Sequence, residues 1–335
     1  MAETLKKFDL AVVTGGLGSF AVLNRVYDAH HMGTTTTIFI PASIEGEFLD
    51  PKTDRGYASI HGESIGSDTA ANTAVDAIDR LREQSHHSRS VFLVECVGQK
   101  SNLLPVQIGM ACGAHRVYLP RFPHVEKEAV TEIQSLYGSD FDPNYVNIGE
   151  LVSWIESMFQ NHRRNHVLVV LPNGVPLINT MPRGAVDEQI NYEEMITSMS
   201  PLELTVLRVA DALSSHFHGP NAIQVRHVLL DDLQRGGAPS AHDRVLGSLY
   251  GEAAVEEFLS LFNGLDTVRR GNLNLLTIDS TSSVTWKCHP RLDVLPLFAG
   301  GEPRAGGLDP LPFFRQCRGL VTGYRPLSTL STTAN

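Results

Sequence analysis

Phe8–Thr14 is a short apolar run that stops at Gly15-Gly16, and Thr37–Ile40 is a second that stops at Pro41. Short continuous apolar runs closed by glycine or proline read as parallel strands buried on both faces, each leading into a loop. Val91–Glu95, Arg116–Leu119 and Val167–Leu171 repeat the pattern. Helical stretches lie between them. From Asp68 to Arg82, apolar residues recur at Ala71, Ala74, Val75, Ile78 and Leu81, the spacing of one helical face, with Ser67 or Asp68 placed to cap the first turn. Val106–Cys112 is a second helical stretch. Glu252–Phe262 is a late one that turns Ala254, Val255, Phe258, Leu259 and Phe262 inward. Strands alternating with helices restrict the chain to an α/β fold with a mainly parallel sheet. In such sheets ligands collect at the carboxyl ends of the strands.

A chain of 335 residues buries a sizeable core and normally divides into two lobes. Its formal net charge of -10 argues against a nucleic-acid surface or an anionic membrane as partner, while leaving room for a local positive pocket. No apolar run reaches the roughly 18 residues needed to span a bilayer, and Met1–Lys7 has no apolar signal core. Cys96, Cys112, Cys288 and Cys317 are scattered with no CxxC pair, which reads as reduced thiols in a cytoplasmic protein. His86-His87 and His216-Phe217-His218 have no nearby third ligand, so they read as surface histidines and no metal site is expected.

Four segments fall where strands end or helices start. They are Thr14-Gly15-Gly16-Leu17-Gly18-Ser19, Pro41-Ala42-Ser43-Ile44-Glu45, Gly66-Ser67-Asp68-Thr69-Ala70, and the run Gln234-Arg235-Gly236-Gly237-Ala238-Pro239 that ends in Asp243-Arg244. In that order and spacing they resemble the phosphofructokinase family, from about Phe8 to about Ile278. The details lean toward the C-terminal, regulatory half of the eukaryotic forms, as does Val268-Arg269-Arg270-Gly271. The resemblance implies two lobes of doubly wound, mainly parallel sheets with the ligand cleft between them. It also implies a glycolytic reaction, ATP-dependent phosphorylation of fructose 6-phosphate to fructose 1,6-bisphosphate, with Mg²⁺ and ATP as cofactors.

The family's first loop reads Gly-Gly-Asp-Gly-Ser, so the resemblance places Gly16, Gly18 and Ser19 at the nucleotide. Its aspartate helps hold Mg²⁺, and here that position is Leu17, which has no oxygen donor. The family's Thr-Ile-Asp-Asn-Asp becomes Ser43-Ile44-Glu45-Gly46-Glu47, which puts Glu45 at the catalytic base on a longer arm. On the sugar-phosphate side the resemblance assigns Ser43, Glu47, Gly98, Gln99, Asn173, Arg226, Asp232 and Arg235. Gln99 and Asn173 replace an arginine and an acid of the family, and Asp232 replaces a histidine. Arg226 and Arg235 keep two guanidinium groups suited to forked phosphate binding. Each position also has a plain reading: Gly15–Ser19 as an ordinary turn, Glu45 and Glu47 as solvent-facing acids, Arg235 as a turn clamp, Arg226 as a carboxylate partner, Glu95 as a satisfied buried acid.

The expected organisation follows. Residues 1–62 and 235–280 form a nucleotide-side lobe whose first strand units are absent, residues 63–234 and 281–298 the sugar-phosphate-side lobe, and residues 299–335 a flexible linker and tail. Phe48–Glu63 reads as an inserted loop. The family's earlier glycine-rich nucleotide loop has no counterpart, so the chain reads either as a fragment or as one whose open sheet edge a partner covers. Two functions remain: the family enzyme, and a non-catalytic pseudoenzyme that binds a sugar phosphate or serves as a regulatory or assembly subunit. The expected partners are a small sugar phosphate and either a second copy or a full-length phosphofructokinase subunit.

Overall fold

The structure is a computed structural model that describes residues 2–29, 35–46, 64–83, 89–98, 103–119, 141–142, 145–161, 164–178, 205–219, 222–260, 272–279 and 285–290. The helices are α1 (Ala2–Leu5), α2 (Leu17–Ala29), α3 (Ser67–Glu83), α4 (Leu103–Cys112), α5 (Ile148–Gln160), α6 (Thr205–His216), α7 (Asp231–Gln234) and α8 (Ala241–Ser260). The strands are β1 (Leu10–Gly15), β2 (Thr36–Pro41), β3 (Ser90–Cys96), β4 (Arg116–Val117), β5 (Val146–Asn147), β6 (His166–Pro172), β7 (Leu177–Ile178), β8 (Gln224–Leu229), β9 (Leu273–Asp279) and β10 (Thr285–Pro290). Every strand and helix named from the sequence is present with its ends moved by a few residues, except the late helix, which starts earlier, at Ala241. No described helix is long and apolar enough to cross a membrane.

One sheet has the order β1-β2-β9-β10. β1, β2 and β9 run parallel, with Leu10 opposite Thr36 and Thr37 opposite Leu273, while β10 returns antiparallel on β9. Alternation along β2 explains its two coverings. Phe39 points to α2, where it meets Phe20, Leu23 and Tyr27. Ile38 and Ile40 point the other way, to Leu246, Tyr250, Ala253 and Ala254 of α8. The second sheet, β4-β6-β3-β8, is wholly parallel, and its strands share one apolar core with α3, α4, α5 and α6. β5 and β7 form a separate parallel pair. The fold class is therefore the expected mixed α/β fold with mainly parallel sheets.

Two expectations need correction. The strand expected to be buried at Phe8–Thr14 is half open: it lies at the sheet's edge among the described residues, and Val12 is 46% exposed. α8 buries Asp243, Leu246, Tyr250, Ala253, Ala254 and Glu257, whereas Val255 and Leu259 are 54% and 51% exposed. Its inward stripe is thus rotated from the one read in the sequence. β10 follows β9 closely enough to fold back on it as an antiparallel partner. Residues Glu47, Phe48–Glu63, His86-His87, Gln99, Phe262, Val268–Gly271 and 299–335 lie outside the described residues.

The second sheet contains an unusual core group. Arg116 is fully buried, and its two terminal nitrogens donate to Glu150 at 2.6 and 2.9 Å. Its guanidinium stacks 4.3 Å from the Phe141 ring and 4.0 Å from the Trp154 ring. Glu150 is held in place by its own backbone N–H, which donates to the Asn147 cap at 3.2 Å. Removing one member of such a pair strands a buried charge and costs about 3–5 kcal/mol. Glu150→Ala should lower unfolding free energy in urea by that order. The double change Arg116→Met with Glu150→Leu should cost clearly less.

Candidate functional site

The sheet ends meet around the starts of α3 and α8. Pro41 closes β2, and its carbonyl accepts from the Ile65 N–H at 3.2 Å, while the Ser43 N–H donates to the buried Ser64 hydroxyl at 2.7 Å. Gly66 then turns the chain into α3 at a φ of 102°, a left-handed conformation that favours glycine. Helix starts leave N–H groups without intrahelical partners. Here a carboxylate distant in sequence supplies them. Asp243, buried in the first turn of α8, accepts from the N–H of Gly66 at 2.7 Å, from the N–H of Thr69 at 2.8 Å, and from the Thr69 hydroxyl. Ser240 caps α8 by accepting from the Asp243 N–H at 3.2 Å, donates its hydroxyl proton to Asp68 at 2.5 Å, and donates its own N–H to Thr69 at 2.9 Å. The negative carboxylate lies at the positive ends of two helices. The Gly66–Ala70 and Pro239–Asp243 segments, read from sequence as ligand signatures, are thus one clamp joining α3 to the helix that covers the first sheet.

A second polar pin sits at the end of β3. Gln234 is 1% exposed; its Oε1 accepts from the Val97 N–H at 2.8 Å and its Nε2 donates to the Ala70 carbonyl at 3.2 Å. Asn173 accepts from the Gly98 N–H at 3.1 Å through Oδ1, and its own N–H donates to the Cys96 carbonyl at 2.8 Å. Gly98 is packed so closely that a Cβ there would lie 2.5 Å from Pro105. Glu95, buried one residue before the strand end, accepts from the Val206 N–H at 3.0 Å and so caps the start of α6. Burial pushes its carboxyl above the ordinary carboxylate range; the Val206 N–H offsets part of this, and the nearby Asp231 charge adds to it.

The sequence-assigned residues distribute around these pins. Ser43 and Glu45 form the turn after β2: the Glu45 N–H donates to the Ser43 hydroxyl at 3.3 Å, and Glu45 is 8% exposed. Gly46, at φ 62°, abuts Leu103 at the start of α4, the helix whose Pro105 contacts Gly98. Gly46, at the end of the Ser43–Glu45 turn, and Gly98, which Asn173 holds, therefore both border the first turn of α4. Arg235 follows Gln234 directly; its Nε donates to Asp231 at 2.9 Å and the side chain is 48% exposed. Asp232 is exposed on α7. Arg226 lies on β8 opposite Phe92 and donates from Nη2 to Gln224 at 3.0 Å.

Gly16, Gly18 and Ser19 surround the start of α2, beside Ala42, whose N–H donates to the Gly15 carbonyl at 2.9 Å. Gly15 has a packing reason of its own, since a Cβ there would meet Ser19 at 2.7 Å. Leu17 packs against the cluster of Phe20, Leu23, Phe39 and Leu273. Among the described residues no three His, Cys, Asp or Glu side chains stand together to hold a metal ion. Sequence reasoning assigned no role to Gln234 or Asp243. Both sit inside a quoted motif, but nothing in local periodicity says that they point inward.

A family model described as Phosphofructokinase matches residues 1–258. The chain is 26% identical over 257 residues to an ATP-dependent 6-phosphofructokinase of Persephonella marina, covering 76% of this chain and 59% of that protein. It is 29% identical over 219 residues to a pyrophosphate–fructose 6-phosphate 1-phosphotransferase of Dictyoglomus thermophilum, covering 65% of this chain and 54% of that protein. It thus spans between half and three-fifths of the length of these curated relatives. Phosphofructokinase from Saccharomyces cerevisiae superposes with a TM-score of 0.62 at 16% identity, covering 96% of this chain and 38% of that one. The T-state enzyme of Pichia pastoris gives 0.53 at 16% identity, covering 94% and 30%. At those identities the structural likeness speaks for the fold alone.

Two stability measurements follow from this geometry. Asp243→Ala leaves the N–H groups of Gly66 and Thr69 unpaired, and hydrogen bonds to a charged group contribute about 1.5–3 kcal/mol each. It should therefore lower the thermal midpoint far more than Arg235→Ala, which removes only a half-exposed ion pair; equal shifts would contradict the clamp. For Glu95, the raised folded value means that folding favours the protonated form. Stability should fall as pH rises from the ordinary 4.5 through the raised value. Chemical denaturation of Glu95→Gln should lack that part of the fall, and an unchanged pH profile would place the effect elsewhere.

Proposed function

The chain belongs to the phosphofructokinase family, and from that premise we propose that it binds a phosphorylated sugar in the cleft between its sheets without transferring phosphate by itself. The observation that carries this reading is Leu17. The loop that by resemblance would place a carboxylate on magnesium instead carries a partly buried leucine packed against the apolar cluster of Phe20 and Phe39. Magnesium takes oxygen donors, so the residues present at this loop do not fit the ion, and no step is routed through it. Losing that charge stabilisation typically costs several kcal/mol of transition-state energy.

The pattern of retention supports the same reading. Gln234, Asp243, Thr69 and Ser240, which keep the family-like segments recognisable, all serve internal hydrogen bonds. The departures fall on Leu17, Gln99, Asn173 and Asp232, positions that the resemblance assigns to chemistry or sugar contact. Phosphate binding retains plausible groups. Among the described residues Arg235 pairs with Asp231, both side chains are about half exposed, and such pairs contribute roughly 0.2–1 kcal/mol. An incoming phosphate can take over that guanidinium with a forked, charge-assisted contact. Arg226 is the second proposed cation, and Asp232 opposes binding if it turns toward the phosphate.

A second reading keeps the family reaction, ATP-dependent phosphorylation of fructose 6-phosphate, with Glu45 as the base. What favours it is the nearly buried Glu45 carboxylate at the end of β2. In either reading the protein is proposed to be cytoplasmic and to work as an assembly, either of its own copies or as a regulatory subunit with a full-length phosphofructokinase. The edge position of β1 among the described residues and its exposed Val12 support the assembly proposal.

In a coupled assay with ATP, Mg²⁺ and fructose 6-phosphate, the purified chain should show no turnover. A rate of roughly 1 s⁻¹ or above lies in the normal kinase range and would establish the second reading instead. Calorimetry should detect fructose 6-phosphate binding near the millimolar range. Arg235→Ala should abolish it and Asp232→His should strengthen it. Light scattering at micromolar concentration should report an oligomer; a monomer that unfolds cooperatively would refute the homo-oligomer.

A further inference from the structure

Gln234 connects the end of β3 to the first turn of α3, which no sequence segment joins. Its side chain is almost completely buried, and its carboxamide uses both ends, accepting from the Val97 N–H and donating to the Ala70 carbonyl. Val97 is buried and follows Cys96, the last residue of β3. Its N–H has therefore run past the sheet ladder, and Oε1 takes the ladder's place. One residue further, the Gly98 N–H is taken by Asn173. Two carboxamides thus fix successive N–H groups of the Val97–Gly98 turn. Asn173 is itself anchored at the end of β6, and Gln234 is anchored to α3. Ala70 adjoins Thr69, which Asp243 holds. Arg235 is the residue after Gln234, and its backbone N–H donates to the Asp232 carbonyl at 3.2 Å, closing the one-turn helix α7.

We propose that Gln234 is a positioning residue for anion binding, holding the Arg235 guanidinium and the Val97–Gly98 turn in one register so that both bound the same part of the cleft. This rests on the sugar-phosphate reading of Arg235. Gln234 does not touch the ligand and acts through its neighbours. Releasing its carboxamide frees a buried N–H at the end of β3 and unpins the turn that carries Arg235. A forked guanidinium contact depends on orientation, so the loss appears in affinity as well as in stability.

The test uses the full chain, fructose 6-phosphate as the calorimetric probe, and three variants: Arg235→Ala, Gln234→Leu and Gln234→Glu. Gln234→Leu should raise the dissociation constant about tenfold or more. Gln234→Glu adds a pH readout that simple packing does not produce. As a carboxylate it accepts from Val97 but cannot donate to Ala70; once protonated it does both, like the carboxamide. Its affinity relative to the unmodified protein at the same pH should therefore be low near pH 7.5 and recover near pH 5.5, since burial raises a carboxyl's pKa. If Gln234→Leu does not fold, this pH comparison decides alone. Loss of binding in Arg235→Ala, with both Gln234 variants binding as well as the unmodified chain at either pH, would overturn the positioning role and leave the binding site intact. Unaltered binding in Arg235→Ala would overturn the site itself and the inference with it.

Discussion

The Asp243 carboxylate is the constraint on which the arrangement of this chain depends. It satisfies two N–H groups at the start of α3 from the first turn of α8 and meets the Thr69 hydroxyl as well. α8 covers the first sheet through Leu246, Tyr250 and Ala254, while α3 belongs to the core of the second through Ala70, Ala74 and Ile78. One side chain thus couples two hydrophobic cores. Burying a charge is favourable only when its hydrogen bonds are complete, and here they come from backbone and hydroxyl donors whose positions are set by two helix ends. That requirement also fixes the rotation of α8. With Asp243 inward, Leu246, Tyr250, Ala253 and Glu257 follow on the same face, leaving Val255 and Leu259 outside.

The second consequence concerns the turns between the sheets. Ser64 holds the Ser43 turn, Gln234 and Asn173 hold the Val97–Gly98 turn, and Gly46 lets the first of these approach α4 without a Cβ in the way. The polar groups that hold these turns point into the protein. The side chains that reach solvent nearby are Arg235, Asp231 and Asp232, loosely organised by one exposed ion pair. The buried polar groups are thus committed to internal hydrogen bonds, and Leu17, at the start of α2, packs against the apolar cluster of the first sheet.

Much of the fold was legible in the sequence because its signals are local. Apolar runs ending in glycine or proline located β1, β2, β3, β4 and β6, and the spacing of Ala74, Val75, Ile78 and Leu81 located α3. Burial could not be read in the same way. Phe8–Thr14 looks like an interior strand, yet Val12 is half open because β1 ends its sheet among the described residues. α8 is apolar on several faces, so periodicity alone had no means of choosing which one packs.

Of the site, the sequence determined which segments belong together and which residue types stand at each family position, because a motif is a property of order and spacing. Only the tertiary structure decided what those residues do. Gln234 and Asp243 could have faced a ligand or the interior, and the choice was made by N–H groups of Val97, Gly66 and Thr69, more than a hundred residues away in sequence and adjacent in space. A buried donor left without an acceptor is costly, and where such donors lie is a fact about packing that no local pattern carries.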